Sequence, residues 1–304
     1  MRLAALDQRP ELAALAGAVA IAFSGILFRL ADVSASTGAV WRCVWALPPL
    51  YLLAKIEDRR FGRRPRRARR LAWAAGLFFA ADLVLWHHAI DAVGAGLATV
   101  LGNTQVLMVG VLAWALLGER PSGRALASIP VAFAGVLLIS GVLEEDAYGD
   151  NPVLGAIFGI GTGIAYSAFL LTLRQGSADL RRTAGPLFDA TLASALGALV
   201  LGAASRDFDP LPSWQAQAWL VVLALSAQVL GWLLIARSLP RLPAVLTSVL
   251  LMLQPVLAVL LAAVLVDEAP SALQLGGAAL ILASLLLASM RRRERAAAAA
   301  VEAV

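Results

Sequence analysis

Two apolar stretches of this chain repeat one another 149 residues apart. LATVLGNTQVLMVGVLAWALLGERPS runs from Leu97 to Ser122, and LTSVLLMLQPVLAVLLAAVLVDEAPS runs from Leu246 to Ser271. Leu97 matches Leu246, Val100 matches Val249, Gln105 matches Gln254, Glu119 matches Glu268, and Pro121-Ser122 match Pro270-Ser271. A duplicated apolar segment with a polar residue at mid-length lets two halves of a membrane protein enclose a site between them.

The rest of the chain fits a bilayer. Apolar residues make up 60% of it and charged residues 15%; the mean hydropathy is +0.80. A helix needs roughly 20 apolar residues to span the hydrocarbon. Ten segments meet that need, near 12–30, 37–54, 71–90, 94–117, 124–142, 153–173, 184–204, 216–236, 244–266 and 272–290. The expected fold is therefore all-α and integral to the membrane. The first segment has no small-residue cleavage site before a polar start, so it reads as a retained helix rather than a signal peptide. The single cysteine, Cys43, falls inside the second segment and reads as a small buried apolar residue. No Cys/His spacing suggests a metal, and no cofactor is expected.

Charge sets the expected orientation. With a cytoplasmic N-terminus, nearly all of the 25 basic residues fall on the cytoplasmic side, including the run from Lys55 to Arg70 and the four arginines of the tail. Arg206 alone lies in an outside loop, while Arg29 and Arg42 lie within or at the ends of spans. This bias supports ten spans with both termini inside. The sequence pI is about 10.3, but the arginines sit in short loops between apolar spans. RRFGRRPRRARR reads as a topological anchor at anionic headgroups rather than a nucleic-acid surface. One lysine against many arginines, with abundant alanine, points to GC-rich coding and a bacterial inner membrane.

Ten spans divide into two fives: a first repeat over 12–142, a second over 153–290, and a basic tail over 291–304. Further landmarks recur: Ala22-Phe23-Ser24 with Ala165-Tyr166-Ser167, Gly38 with Gly185, Asp82 with Gln228, and Trp86 with Trp232. An odd number of spans per half forces the second half to enter from the opposite side, so the repeats are inverted about an axis in the membrane plane. Mid-span residues can then share a central cavity, whereas residues at span ends cannot. Arg42 and Asp189 align across the repeat but are expected at opposite surfaces, unpaired.

These residues carry a family resemblance. The chain resembles the EamA family of the drug/metabolite transporter superfamily in Arg42, in a fourth span ending Leu117-Gly118-Glu119-Arg120-Pro121, and in a ninth with Gln254-Pro255 ending Asp267-Glu268-Ala269-Pro270. Gly135 and the apolar run after it resemble the family's fifth-span ending. The chain departs from the pattern at Val106, where the family often has a proline, and at Ser284, where Gly135 predicts a glycine. The resemblance covers about 12–290. It implies a ten-helix secondary transporter working by alternating access, often an exporter of amino acids or other metabolites.

Several residues are candidates to line the cavity. Asp82 is the one acid at mid-span, where a carboxylate is costly and functional by default. It could bind a proton or a substrate ammonium, or it could fix helix packing. Trp86 lies one turn further on the same face, and Trp232 repeats it; both could wall a site or simply pack. His87 is a second proton-coupling candidate, since histidine titrates near neutral pH. Gln105, Gln254, Gln228 and Asn103 could bind substrate or bond helices together. Asn103 and Gln105 are about 200° apart on an unbroken helix, so only one should face inward. Ser24 and Tyr166 could supply hydroxyls. Pro255 is expected to bend the ninth helix. Arg42 is a candidate carboxylate ligand or an acid's partner.

The expected function is export of amino acids or related small metabolites. The alternative is efflux of drugs or organic cations by proton antiport. The chain holds no GxxxxGK[ST] loop for ATP, and no HExxH or GxSxG. An intramembrane enzyme, or a sensor lacking a soluble signalling domain, are remote alternatives. The expected partners are a small-molecule substrate and the lipid bilayer, with no nucleic acid, in a monomer or homodimer.

Overall fold

The computed structural model describes residues 10–117, 123–177, 179, 181–238 and 253–289. Glu119, Pro121, Ser122, Leu246, Val249 and the tail 291–304 lie outside them. Every regular element among the described residues is helical. α1 (Pro10–Ala22) starts with proline at its first position, where the missing N–H costs nothing. Phe23 interrupts it, and α2 (Ser24–Ala31) continues the span to Asp32, a left-handed residue. α3 (Ala35–Phe61) carries Pro48 and Pro49 in its interior. α4 (Arg66–Val93) follows Pro65 and stops at Gly94, whose φ of 88° suits glycine alone. α5 (Ala95–Gly102) and α6 (Gln105–Leu117) are one span broken at Asn103 and Thr104. α7 (Gly123–Ile139) ends the first half.

α8 (Pro152–Gly176) is capped by Asn151, whose side chain accepts from Leu154 N–H. α9 (Ala184–Ser205) follows. α10 (Trp214–Leu223) runs into a π-helical segment, Ala224–Gly231, and then α11 (Trp232–Ser238). α12 (Leu253–Leu265) and α13 (Ala272–Ser289) complete the described chain. Helix thus occupies each of the ten expected segments, the ninth from Leu253 onward. Among the described residues, five helices are long and apolar enough to cross a membrane: Pro10–Ala31, Arg66–Val93, Pro152–Gly176, Ala184–Ser205 and Trp214–Ser238. Four more are apolar but shorter.

The halves interlock rather than sit side by side. α4 packs against α8 and α9, and α3 against α9. α5 packs against α12, α7 against α13, and α1 against the π segment, α11 and α12. Exchanging the halves pairs these contacts: α4 on α8 corresponds to α11 and the π segment on α1, α4 on α9 to the π segment on α3, and α6 on α8 to α12 on α1. Directions follow from neighbours. Gly155 meets Val93 and Gly176 meets Ala68, so α8 runs antiparallel to α4. Gly76 meets Ala190 and Gly197 meets Ala80, so α9 runs parallel to α4.

Close approach depends on two glycine contacts. A Cβ on Gly76 would lie 2.2 Å from the Ala190 carbonyl oxygen. Gly135 and Gly277 face each other reciprocally: a Cβ on either would lie 2.6 or 2.5 Å from the other's carbonyl oxygen. The glycine opposing Gly135 is therefore Gly277, while Ser284 is buried and bonds the Ile281 carbonyl.

Charge gathers at the two ends. One end holds Arg59 to Arg70 together with Arg181 and Arg182. Arg64 donates to Asp189 at 2.5 Å, and Arg182 donates to the Gly62 carbonyl at 2.7 Å. The other end holds Asp32, Glu144, Asp150, Asp207 and Glu268. Carboxylates there and at the basic end cap helices across the repeat. Glu57, near the end of α3, accepts from Thr183, Ala184 and Gly185 N–H at the start of α9. Asp207, just past α9, accepts from Ser36 N–H at the start of α3 at 3.0 Å. Glu268, past α12, accepts from Ala95 and Gly96 N–H at the start of α5 at 2.6 and 3.0 Å. Each satisfies donors that a helix start leaves free.

Candidate functional site

The interior of the bundle holds a buried polar core. It centres on Arg42, which lies eight residues into α3 and is 3% exposed. The sequence places Arg42 toward the outer end of its span, and the structure keeps it within eight residues of the start of α3, where His87 also bonds Ala35. What the spacing does not tell is that the π segment helps to bury it from the second half. Its Nη1 bonds His87 Nε2 at 3.4 Å and its Nη2 donates to Gln228 Oε1 at 3.4 Å. Gln228 Nε2 donates to Thr191 Oγ1 on α9 at 3.3 Å. One chain of bonds therefore links α4, α3, the π segment and α9. Arg42 and Asp189 do not pair: Asp189 is held by Arg64 and Arg69 at the basic end.

His87 is fully buried. Its Nδ1 donates to the Ala35 carbonyl at 2.9 Å, leaving Nε2 as acceptor for Arg42. Phe28 stacks flat on its ring at 3.9 Å. His88, next along, points elsewhere, toward Phe158 and Asp207. The two histidines do not share a site, as a 100° helical step requires.

Asp82 lies on α4 and is 6% exposed. It makes no hydrogen bond or ion pair within 4 Å among the described residues. Arg42 is the cation whose charge reaches it. Tyr166 lies within electrostatic reach on the other side. One turn before Asp82, Phe79 joins an aromatic group: it stacks on Phe169 at 4.5 Å and meets the edge of Trp232 at 5.9 Å. Tyr166 meets Trp232 edge-on at 6.0 Å. Tyr166, Trp232 and Asp82 thus come together, with Phe79 and Phe169 as members that the repeat did not single out.

Trp86 sits on the other side of Arg42, with the guanidinium carbon 5.8 Å from its ring centre. A Cβ on Gly25 would lie 3.5 Å from this indole, and one on Gly102 3.7 Å. The indole therefore rests against the start of α2 and the end of α5, beside both helix breaks. Ser24 is buried at the first of them. At the second, Asn103 Nδ2 donates to the Thr99 carbonyl at 2.8 Å and Thr104 Oγ1 donates to the Leu101 carbonyl. The break removes the unbroken helix on which Asn103 and Gln105 were set 200° apart.

Gln105 begins α6, half-buried, and its carbonyl accepts from Ser167 at 3.0 Å. Gln254 and Pro255 are the second and third residues of α12. No side-chain bond joins either glutamine to the Arg42 core among the described residues. The expected bend at Pro255 falls at the edge of the described chain. The interruptions that the structure does show are at Phe23, at 103–104 and across Ala224–Gly231. The π segment carries Gln228, the repeat counterpart of Asp82. Such segments distort helices where side chains must be re-aimed.

A separate apolar cavity of about 260 Å³ lies between α6, α7 and α8, lined by Leu107, Val111, Ala132, Phe133 and Ile160. Thr104 touches it, but the Arg42 core does not. Half-exposed Phe133 opens it toward the bundle's outer face. Among the described residues no group of His, Cys, Asp and Glu is placed to hold a metal ion.

Comparison with solved structures supports the fold. A crystal structure of a protein superposes with a TM-score of 0.60 at 15% identity, covering 93% of this chain and 99% of its own. A comparison with curated proteins finds no match. The model of the EamA-like transporter family matches the chain twice, over residues 8–141 and 153–290.

Proposed function

The chain belongs to the EamA-like transporter family and is a multi-pass membrane transporter, and on that premise we propose that it exports amino acids or related small metabolites by alternating access. The observation that carries this reading is Asp82, buried at mid-helix without a bonded partner among the described residues and one turn from the aromatic group of Phe79 and Trp232. A carboxylate held so is expensive unless something binds it. The interlocked, exchange-symmetric packing supports a site shared by the halves, with 12–142 and 153–290 as the two repeats. Segregation of arginines to one end supports cytoplasmic termini and a bacterial inner membrane.

In this reading Trp86 and Trp232 form opposite walls, Gln228 and Arg42 join the walls, and the breaks at Phe23 and 103–104 allow short pieces to move. Asp82 takes the substrate's ammonium or a proton. Gln105, Gln254, Asn103, Tyr166 and Ser24 line the path on either side. His87 is a positioning residue for Arg42. The reading involves no cofactor and no enzymatic step, and the working unit is a monomer or a homodimer.

The test is efflux from proteoliposomes loaded with an equimolar mixture of the twenty labelled L-amino acids. Flux above protein-free vesicles is expected for a subset; no flux for any of them overturns the reading. The aromatic group of Phe79, Tyr166, Phe169 and Trp232 beside Asp82 favours a second reading, organic-cation efflux by proton antiport. Uptake of tetraphenylphosphonium driven by an imposed pH gradient, with no amino-acid flux, selects it.

A further inference from the structure

Arg42 is a buried cation with no carboxylate bonded to it among the described residues. Its two hydrogen bonds are long, 3.4 Å each, and both go to neutral acceptors, His87 and Gln228. Its Nε is buried with no partner among the described residues. No carboxylate approaches within the 4 Å of an ion pair there, although Asp82 lies within electrostatic reach. The face of Trp86 offers partial compensation. Removing a guanidinium from water costs several kcal/mol, and structural arginines are normally given bonded anions or carbonyls in return. Arg182 in this same chain illustrates the ordinary case, with Asp58, Asp179 and two backbone carbonyls around it.

We propose that Arg42 is the receptor for a carboxylate on the transported solute, and that Asp82 meets a positive group on the same molecule. This rests on the transport reading above and names its substrate class: solutes that carry a carboxylate, zwitterionic ones above all. The unpartnered Nε and the weakly held Nη2 form one edge of the guanidinium. That edge matches the two oxygens of a carboxylate. Gln228 and His87 hold the group in plane without neutralising it, since His87 is locked by Ala35 as an acceptor toward Arg42. The two opposite charges, Arg42 and Asp82, stay apart rather than closing on one another, so a solute bearing both signs can bind between them beside Trp86. The Nε edge has no water access in this conformation. A carboxylate reaches it only after the bundle opens, which alternating access supplies.

The experiment compares amino acids with their amides, which keep size and ammonium but lose the carboxylate. Wild-type proteoliposomes should export the twenty-amino-acid mixture at least about tenfold faster than the matching mixture of amino-acid amides. In Arg42→Gln that preference should vanish, with acids falling to the rate of amides, while Arg42→Lys should restore part of it. An Arg42 that merely fastens helices predicts a uniform loss with the preference kept. Retained preference in a monodisperse Arg42→Gln protein overturns the proposal, as does equal export of acids and amides by the wild type.

If Arg42→Gln does not fold, thermal stabilisation of the wild type decides. Protection by the amino acids and not by the amides supports the proposal, and equal protection overturns it. If no amino acid moves at all, the amino-acid reading fails on its own. Stabilisation is then read with lactate and succinate against lactamide and succinamide. Protection by the acids alone keeps Arg42 as a carboxylate receptor, and its absence overturns that role.

Discussion

Two sets of charge in this molecule are treated in opposite ways. At the helix ends, Glu57, Asp207 and Glu268 are each tied to backbone N–H groups of a helix from the other half. In the middle, Asp82 has no bonded partner among the described residues, and Arg42 has two long ones. The first set is consumed by structure: each carboxylate accepts what a helix start must donate, and nothing remains to bind a solute. The second set keeps its capacity. Full satisfaction marks a charge that holds the fold together, and an incompletely satisfied one marks a charge kept for a ligand.

That contrast can be broken at several points. Glu268→Ala should do most damage, because Glu268 is 3% exposed and its loss leaves two N–H donors without their acceptor. About 3 kcal/mol should disappear from unfolding free energy in detergent titrations. Glu57→Ala loses three bonds at a half-buried, better hydrated end, and about 2 kcal/mol is expected from the same titration. Asp207→Ala removes one N–H bond and should cost about 1 kcal/mol, read as a small fall in thermal midpoint. Asp82→Asn should change stability least, by under about 0.5 kcal/mol, because it breaks no bond. Its transport should nevertheless fall at least about tenfold, measured as initial efflux rate. A large stability loss in Asp82→Asn, with transport per folded molecule intact, would turn Asp82 into a packing residue and erase the contrast.

Much of the fold could be read from the chain because its rules are one-dimensional. Apolar runs separated by arginine-rich loops specify helices and ends, and the offset between Leu97–Ser122 and Leu246–Ser271 specifies two halves. Asp82, Tyr166, Gln228 and Trp232 were likewise legible, since polar and aromatic residues inside apolar runs stand out. The depth of Arg42 follows from counting along its span, but its burial does not, because counting says nothing of the helices that cover it. Phe79 and Phe169 could not be distinguished from ordinary lipid-facing aromatics. The breaks at Phe23 and 103–104 carry no proline to announce them. Prolines do lie at Pro48, Pro49 and Pro130, inside helices that continue through them.

The sequence by itself determined that this is a helical membrane protein built twice over, with its basic residues at one end and a small number of polar residues at mid-depth. Those features are local or periodic, and hydrocarbon leaves helices little alternative. Only the tertiary structure decided which polar residues meet. It threads each half through the other, so that α3, α4, α9 and the π segment converge on Arg42. It also hands the helix-end carboxylates to helices more than a hundred residues away. Partnership between buried charges is a matter of distances of a few ångströms between distant parts of the chain, and no spacing along one strand of sequence encodes it.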